Sequence, residues 1–129
     1  MSAKLVLIVE DNEKNRKLER DLLQHKGYAT LEADNAEDGI RLAREHLPDL
    51  ILMDIQLPGI NGIDALIRLR GDPATRDIPV IAVTASAMNQ DRDRIMDAGF
   101  DDYQRKPLDI RAFVELVRSR VEDGRRRRA

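Results

Sequence analysis

Three stretches of the chain, residues 4–9, 49–55 and 78–84, consist mainly of successive apolar residues: Leu5-Val6-Leu7-Ile8-Val9, Leu50-Ile51-Leu52-Met53 and Ile81-Ala82-Val83 form their cores. A half-buried strand alternates apolar and polar residues, whereas a strand buried on both faces does not. These stretches therefore predict strands sandwiched between helices. Two further strands are expected at residues 28–34 and 101–105, both of mixed composition. A helical pattern follows each of the five.

The first helix starts near Glu13, with Asp11 or Asn12 as its cap, and turns Leu18, Leu22 and Leu23 inward before Gly27 ends it. Asn35 caps the second, with Ala36, Ile40, Ala43 and Leu47 at helical spacing and Pro48 as its stop. The third follows Asn61-Gly62, faces Ile63, Leu66 and Ile67 inward and ends at Gly71 and Pro73. The fourth, residues 87–98, has only Met88, Ile95 and Met96 as large apolar residues, so it is expected to be lightly anchored, with low local stability. Asp109 caps the last, whose stripe is Phe113, Leu116, Val117 and Val121.

Five strand-then-helix units with short connections predict a parallel α/β sheet with five helices shared between its two faces. The apolar strands one, three and four belong in the middle, and the mixed strands two and five at the edges. The resulting order, 2-1-3-4-5, is flavodoxin-like, with its switch point between strands one and three. Ligands of such sheets bind beyond the carboxyl ends of the strands.

The residues at those ends carry the chemistry. Strand one runs into Glu10-Asp11 and strand three into Asp54. Taken singly, Glu10-Asp11 is a capping pair, and Asp54 is a turn former, a cation ligand or a nucleophile. Taken together, they crowd three carboxylates into one crevice. Two unit charges about 4 Å apart repel by roughly 4 kcal/mol at an effective dielectric near 20. Such a cluster binds a cation or keeps a proton, and oxygen ligands favour a hard ion such as Mg²⁺. Strand four ends in the hydroxyl of Thr84, and strand five is followed by the ammonium of Lys106. A carboxylate is a phosphoryl acceptor in covalent catalysis, and a cation and a lysine neutralise charge on transferred oxygens.

These residues, together with Tyr103 and Lys106-Pro107, resemble the receiver domain of two-component response regulators and phosphorelays, over about residues 4–121. The likeness is greatest to stand-alone, CheY-like receivers of the DivK type and to receivers fused to hybrid histidine kinases. The resemblance implies that Asp54 accepts a phosphoryl group from a sensor histidine kinase or a histidine phosphotransfer protein. It implies that Glu10, Asp11, Asp54 and the Gln56 backbone carbonyl hold Mg²⁺, and that Thr84 and Lys106 contact the phosphoryl oxygens. It makes Thr84 and Tyr103 the switch pair, Lys106-Pro107 a cis-peptide candidate, and Gln56 and Ser86 the positions that tune autodephosphorylation. Output is then a protein contact with a downstream target through the face of helix four, strand five and helix five, a face that also offers a homodimer contact.

Composition narrows the remaining classes. At 129 residues the chain is expected to be one receiver domain over residues 1–123 with a basic tail over 124–129. No separate DNA-binding or enzymatic output domain is expected. A net charge of -2 predicts no strong general attraction for nucleic acid, and the run from Arg125 to Arg128 reads as a solvated tail. No apolar run approaches the roughly 20 residues that span a bilayer. With no signal peptide at the start, a cytoplasmic location is the default. The absence of Cys excludes a thiolate metal site, and the isolated His25 and His46 receive no role. Self-phosphorylation from a donor and autodephosphorylation are expected, rather than turnover of a separate substrate. The alternatives are a phosphate shuttle within a phosphorelay and, in a different class, an aspartyl-phosphate phosphatase, whose nucleophile would follow strand one in an Asp-x-Asp pattern. A flavodoxin-like nucleotide module would need a neutral phosphate loop there, and that loop is acidic.

Overall fold

In the computed structural model, which describes residues 3–85, 89–106 and 108–123, strands and helices alternate along the chain. They are β1 (Leu5–Val9), α1 (Glu13–His25), β2 (Ala29–Ala33), α2 (Ala36–His46), β3 (Leu50–Asp54), α3 (Gly62–Gly71), β4 (Val80–Thr84), α4 (Asn89–Asp97), β5 (Asp102–Arg105) and α5 (Ile110–Asp123). Ser86, Pro107 and the basic tail lie outside the described residues, and so do Ala87 and Met88 at the expected start of α4. Among the described residues, no helix is long and apolar enough to cross a membrane.

The five strands are parallel in the order β2-β1-β3-β4-β5, as their composition predicts. β3 and β4 are buried at every residue, whereas β2 and β5 are mostly half-buried at the edges. Successive side chains leave opposite faces of a strand, and the core divides accordingly. Leu7, Val9, Ile51, Met53, Val80 and Ala82 pack on the side of Ala43, Leu66 and Ile95. Val6, Ile8, Leu50, Leu52, Ile81 and Val83 pack on the side of Leu23, Phe113 and Val117.

The helices bury part of what the spacing suggested and depart from it at particular residues. In α1, Leu23 is buried and Leu22 partly so, but Leu18 is 40% exposed and Glu19 is 2% exposed. Glu19 lies one turn before Leu23 on the inward face, and Leu18 lies about 100° round the helix. In α2 the buried residues are Ala36, Gly39 and Ala43, with Ile40 half-buried. Leu47 is not in the helix at all: it is the left-handed cap, with φ 48, and stays largely exposed. In α3, Ala65, Leu66 and Leu69 are buried, Ile63 is half-buried, and Ile67 is 59% exposed. Small residues let these helices lie close to the sheet; a Cβ at Gly39 would run into the Val9 side chain. In α4, Ile95 is buried and Met96 largely exposed. The α5 stripe is as expected, with Phe113, Val117 and Val121 buried and Leu116 packed against them.

Arg70, at the end of α3, fastens three segments together. Its Nη1 donates to the carbonyls of Arg76 and Ile78 at 3.1 and 2.8 Å, and its Nη2 donates to Asp101 Oδ2 at 2.9 Å. The same Asp101 oxygen accepts the Val80 amide at 2.8 Å. Both side chains are mostly buried. Arg70→Met removes charge-assisted bonds and leaves Asp101 with less compensation, so a loss of about 2 kcal/mol is expected in urea unfolding.

Candidate functional site

The parallel register brings the carboxyl ends of the central strands to one edge of the sheet. Val9 pairs with Met53, Asp54 with Val83, and Thr84 with Arg105. Glu10, Asp54, Thr84 and Lys106 therefore follow one another across neighbouring strands, with Asp11 beside Glu10.

Each residue is held by local structure. The Glu10 amide donates to the Ala33 carbonyl at 3.0 Å, which ties the end of β1 to β2. Asn12 caps α1 by accepting the Asn15 amide at 3.0 Å, and its own amide donates to Glu10 Oε2 at 3.4 Å. Arg16 Nη1 donates to the Glu10 carbonyl at 3.0 Å while its Nε pairs with Glu32. Asp54 Oδ1 accepts the Gln56 amide at 3.0 Å. The Lys106 amide donates to the Thr84 carbonyl at 2.7 Å, anchoring the chain just after β5.

Glu10 and Asp54 are buried and Asp11 is exposed, and ligand oxygens from all three lie within 4.8 Å of one another. Lys106 Nζ is 2.7 Å from Glu10 Oε1 and 3.2 Å from Asp54 Oδ2. Burial pushes the Asp54 carboxyl up to about 7, and the hydrogen bond and charge of Glu10 add to the rise, while Lys106 opposes it. Burial works on Glu10 in the same direction, but its hydrogen bonds to Asp54 and Lys106 and the lysine's charge bring it below the ordinary carboxylate range. Burial would lower Lys106, yet its pairing with Glu10 and Asp54 holds it above the usual lysine value. Below about pH 7 the crowded acids are thus compensated by the Lys106 ammonium and by a proton on Asp54. Three carboxylates in this spacing also suit a hard divalent cation.

Thr84 is buried at the end of β4. Tyr103 lies opposite Ala82 on β5 and packs, half-buried, against the core on the α2–α3 side of the sheet. The Gln56 residue is exposed, two positions past Asp54. Ser86 and Pro107 are outside the described residues. The sequence reading did not find Glu19, Arg16 or Gly62. Glu19 carries a readable signal, because it stands four residues before Leu23 on the inward stripe of an amphipathic helix.

The response regulator receiver domain model matches residues 6–118. The polar-differentiation response regulator DivK of Brucella anthropi is 49% identical over 121 residues, which is 94% of this chain and 98% of that protein. Among solved structures, the receiver domain of a Pseudomonas aeruginosa sensor histidine kinase, with a magnesium ion coordinated in its active-site cleft, superposes with a TM-score of 0.87 at 30% identity, covering 94% of this chain and 99% of that one. A CheY-like receiver domain protein of Methanospirillum hungatei superposes with a TM-score of 0.86 at 26% identity, covering 95% and 96%. The strand order, the acids at one sheet edge and these likenesses agree: the chain belongs to the response regulator receiver domain family.

Proposed function

We propose that this chain is a single-domain response regulator whose Asp54 accepts a phosphoryl group from a sensor histidine kinase or a histidine phosphotransfer protein. The observation that carries this reading is the convergence of Glu10, Asp54 and Lys106 within 3.2 Å contacts at the end of the sheet. Glu10, Asp11, Asp54 and the Gln56 carbonyl would hold Mg²⁺. When bound, this ion supplies charge neutralisation between the carboxylates and the incoming phosphoryl oxygens.

Asp54 loses its proton to solvent and attacks phosphorus; the new O–P bond forms as the P–N bond to the donor imidazole breaks, and that nitrogen takes up a proton. Lys106 offers its ammonium to the transferred oxygens, and Thr84 offers its hydroxyl. Thr84 and Tyr103 then act as a switch pair. Thr84 is drawn toward the phosphoryl group, and Tyr103 repacks on β5 together with α4. That helix rests on the core through Ile95, so a modest energy moves it. The α4–β5–α5 face passes the change to a downstream protein or a second copy of the chain. Gln56 and Ser86 set the pace of hydrolysis. The chain works in the cytoplasm and acts on no separate substrate. The residues after β1 are Glu10-Asp11-Asn12, not the Asp-x-Asp pattern in which a haloacid dehalogenase-type phosphatase carries its nucleophile. Service as a shuttle within a phosphorelay uses the same acceptor.

Acetyl phosphate with Mg²⁺ tests the proposal. One phosphoryl group is expected by intact mass, located on the peptide that contains Asp54 and absent when a chelator replaces the metal. A mass gain on another peptide, or none, would overturn it.

A further inference from the structure

Among the described residues, Glu19 is the buried acid that phosphoryl transfer leaves unused. It stands on the inward face of α1, and its Oε2 is fully buried with no hydrogen-bond partner. It lines a groove of about 380 Å³ whose walls include Leu18, Val83, Ala85 and Leu108, and Lys106 lines the same groove. Burial pushes the Glu19 carboxyl up to about 8, with the charge of Glu10 adding, that of Lys106 opposing and that of Asp54 adding. An acid kept in such surroundings without a partner is costly, and a nearby group able to move into contact would relieve that cost.

Lys106 is such a group. Its ammonium rests on Glu10 and Asp54, the two buried oxygen donors of the cation cluster. A divalent cation and an ammonium drawn to the same carboxylates repel, so the lysine gives way when the carboxylates turn to the metal. Its stem is flexible, and the open acceptor in the groove it already lines is Glu19 Oε2. We infer that Glu19 is a positioning residue for Lys106, taking its ammonium when Glu10 and Asp54 coordinate a divalent cation and releasing it once Asp54 carries a phosphoryl group. As the ammonium arrives, the Glu19 proton leaves to solvent. The mostly apolar walls screen the resulting pair less than water would. The inference rests on the cation and phosphoryl reading above.

The test is a double-mutant cycle on Mg²⁺ affinity, measured on unphosphorylated protein by metal titration. Glu19→Gln is nearly isosteric and removes a costly buried acid, so the variant is expected to fold. It should weaken Mg²⁺ binding about tenfold where Lys106 is present, and less than about twofold in a Lys106→Met background. Equal factors in the two backgrounds would mean a through-space charge effect and overturn the inference, as would no change in either. A second measurement needs no variant. In a crystal of the wild-type chain with Mg²⁺ and no phosphoryl group, Lys106 Nζ should lie within hydrogen-bond reach of Glu19, and finding it still on Glu10 and Asp54 refutes the assignment. Failure of acetyl phosphate to label Asp54, with the Mg²⁺ cycle intact, would count against the proposed function and not against the positioning role of Glu19.

Discussion

Asp54→Asn is expected to abolish labelling by acetyl phosphate and, at the same time, to raise the unfolding temperature of the metal-free protein. An amide is no nucleophile toward phosphorus, so the loss of labelling is complete. The gain in stability follows from the raised carboxyl. Asp54 titrates near 7 in the folded chain against an ordinary 3.8. Between those values the folded chain holds a proton that the unfolded chain has released. The stability this group contributes is therefore fully present below about pH 4, falls as pH rises through the window, and above about pH 7 has become a net cost of burying the anion. Each pKa unit corresponds to 1.36 kcal/mol, and the shared compensation from Lys106 reduces the total, so the variant should gain about 2 kcal/mol at pH 8. That is a rise of roughly 5–10 °C for a domain of this size. The advantage should shrink to nothing near pH 4. Saturating Mg²⁺ should reverse the ranking, because ligand binding stabilises the wild type while the variant has lost a ligand. Thermal unfolding at pH 4, 6 and 8, with and without Mg²⁺, checks all three statements; a gap independent of pH would contradict the burial argument.

The strand order was legible because the chemistry of a fully covered strand is visible residue by residue. Leu50 to Met53 and Ile81 to Val83 leave no polar face, whereas Thr30, Glu32 and Gln104 can stand only at an edge. The acids and Lys106 were legible for the same reason, since they follow directly on strands whose ends must align. The helix faces were legible only in part. Helical spacing identifies a stripe, and Ala43 and Leu66 lie on it as expected, but Ile67 and Leu47 match the apolar type without lying inside, while Ala65 and Gly39 lie inside because they are small. Leu47 left the helix because the chain must turn before Pro48. Glu19 defeated the reading because an acid is assumed to face water, and its burial depends on the ends of β4 and β5, which are distant in sequence. Arg70 was hidden likewise: its partner Asp101 is 31 residues away.

Gly62→Ala should cost about 3 kcal/mol and disable the site, although propensity alone argues the other way. Gly62 opens α3 with φ outside the left-handed region, and in helices Ala is favoured over Gly by about 1 kcal/mol. The obstacle is contact. The Gly62 amide donates to the Ile55 carbonyl at 3.0 Å, which draws the start of the helix onto the end of β3. A Cβ there would overlap the Asp54 carbonyl oxygen and lie 2.9 Å from Ile55 Cα. Both partners are backbone of the central strand, so no rotamer change relieves the overlap; either α3 lifts away from the sheet or the backbone after Asp54 shifts. Overpacking of this kind costs typically 1–3 kcal/mol and sometimes more, enough to override the propensity gain. Even a 1 Å shift of the backbone bearing the nucleophile costs about a hundredfold in rate, because the Asp54 carboxylate and the Gln56 amide that orients it move together. Gly71, at the other end of the same helix, has nothing within 4 Å of a Cβ. Gly71→Ala should therefore leave stability and acetyl-phosphate labelling unchanged or slightly improved. Urea unfolding and labelling rates of the two variants side by side separate the effects: equal stabilities would show that α3 can lift at little cost, and retained labelling in Gly62→Ala would show that the helix, and not the Asp54 turn, had moved.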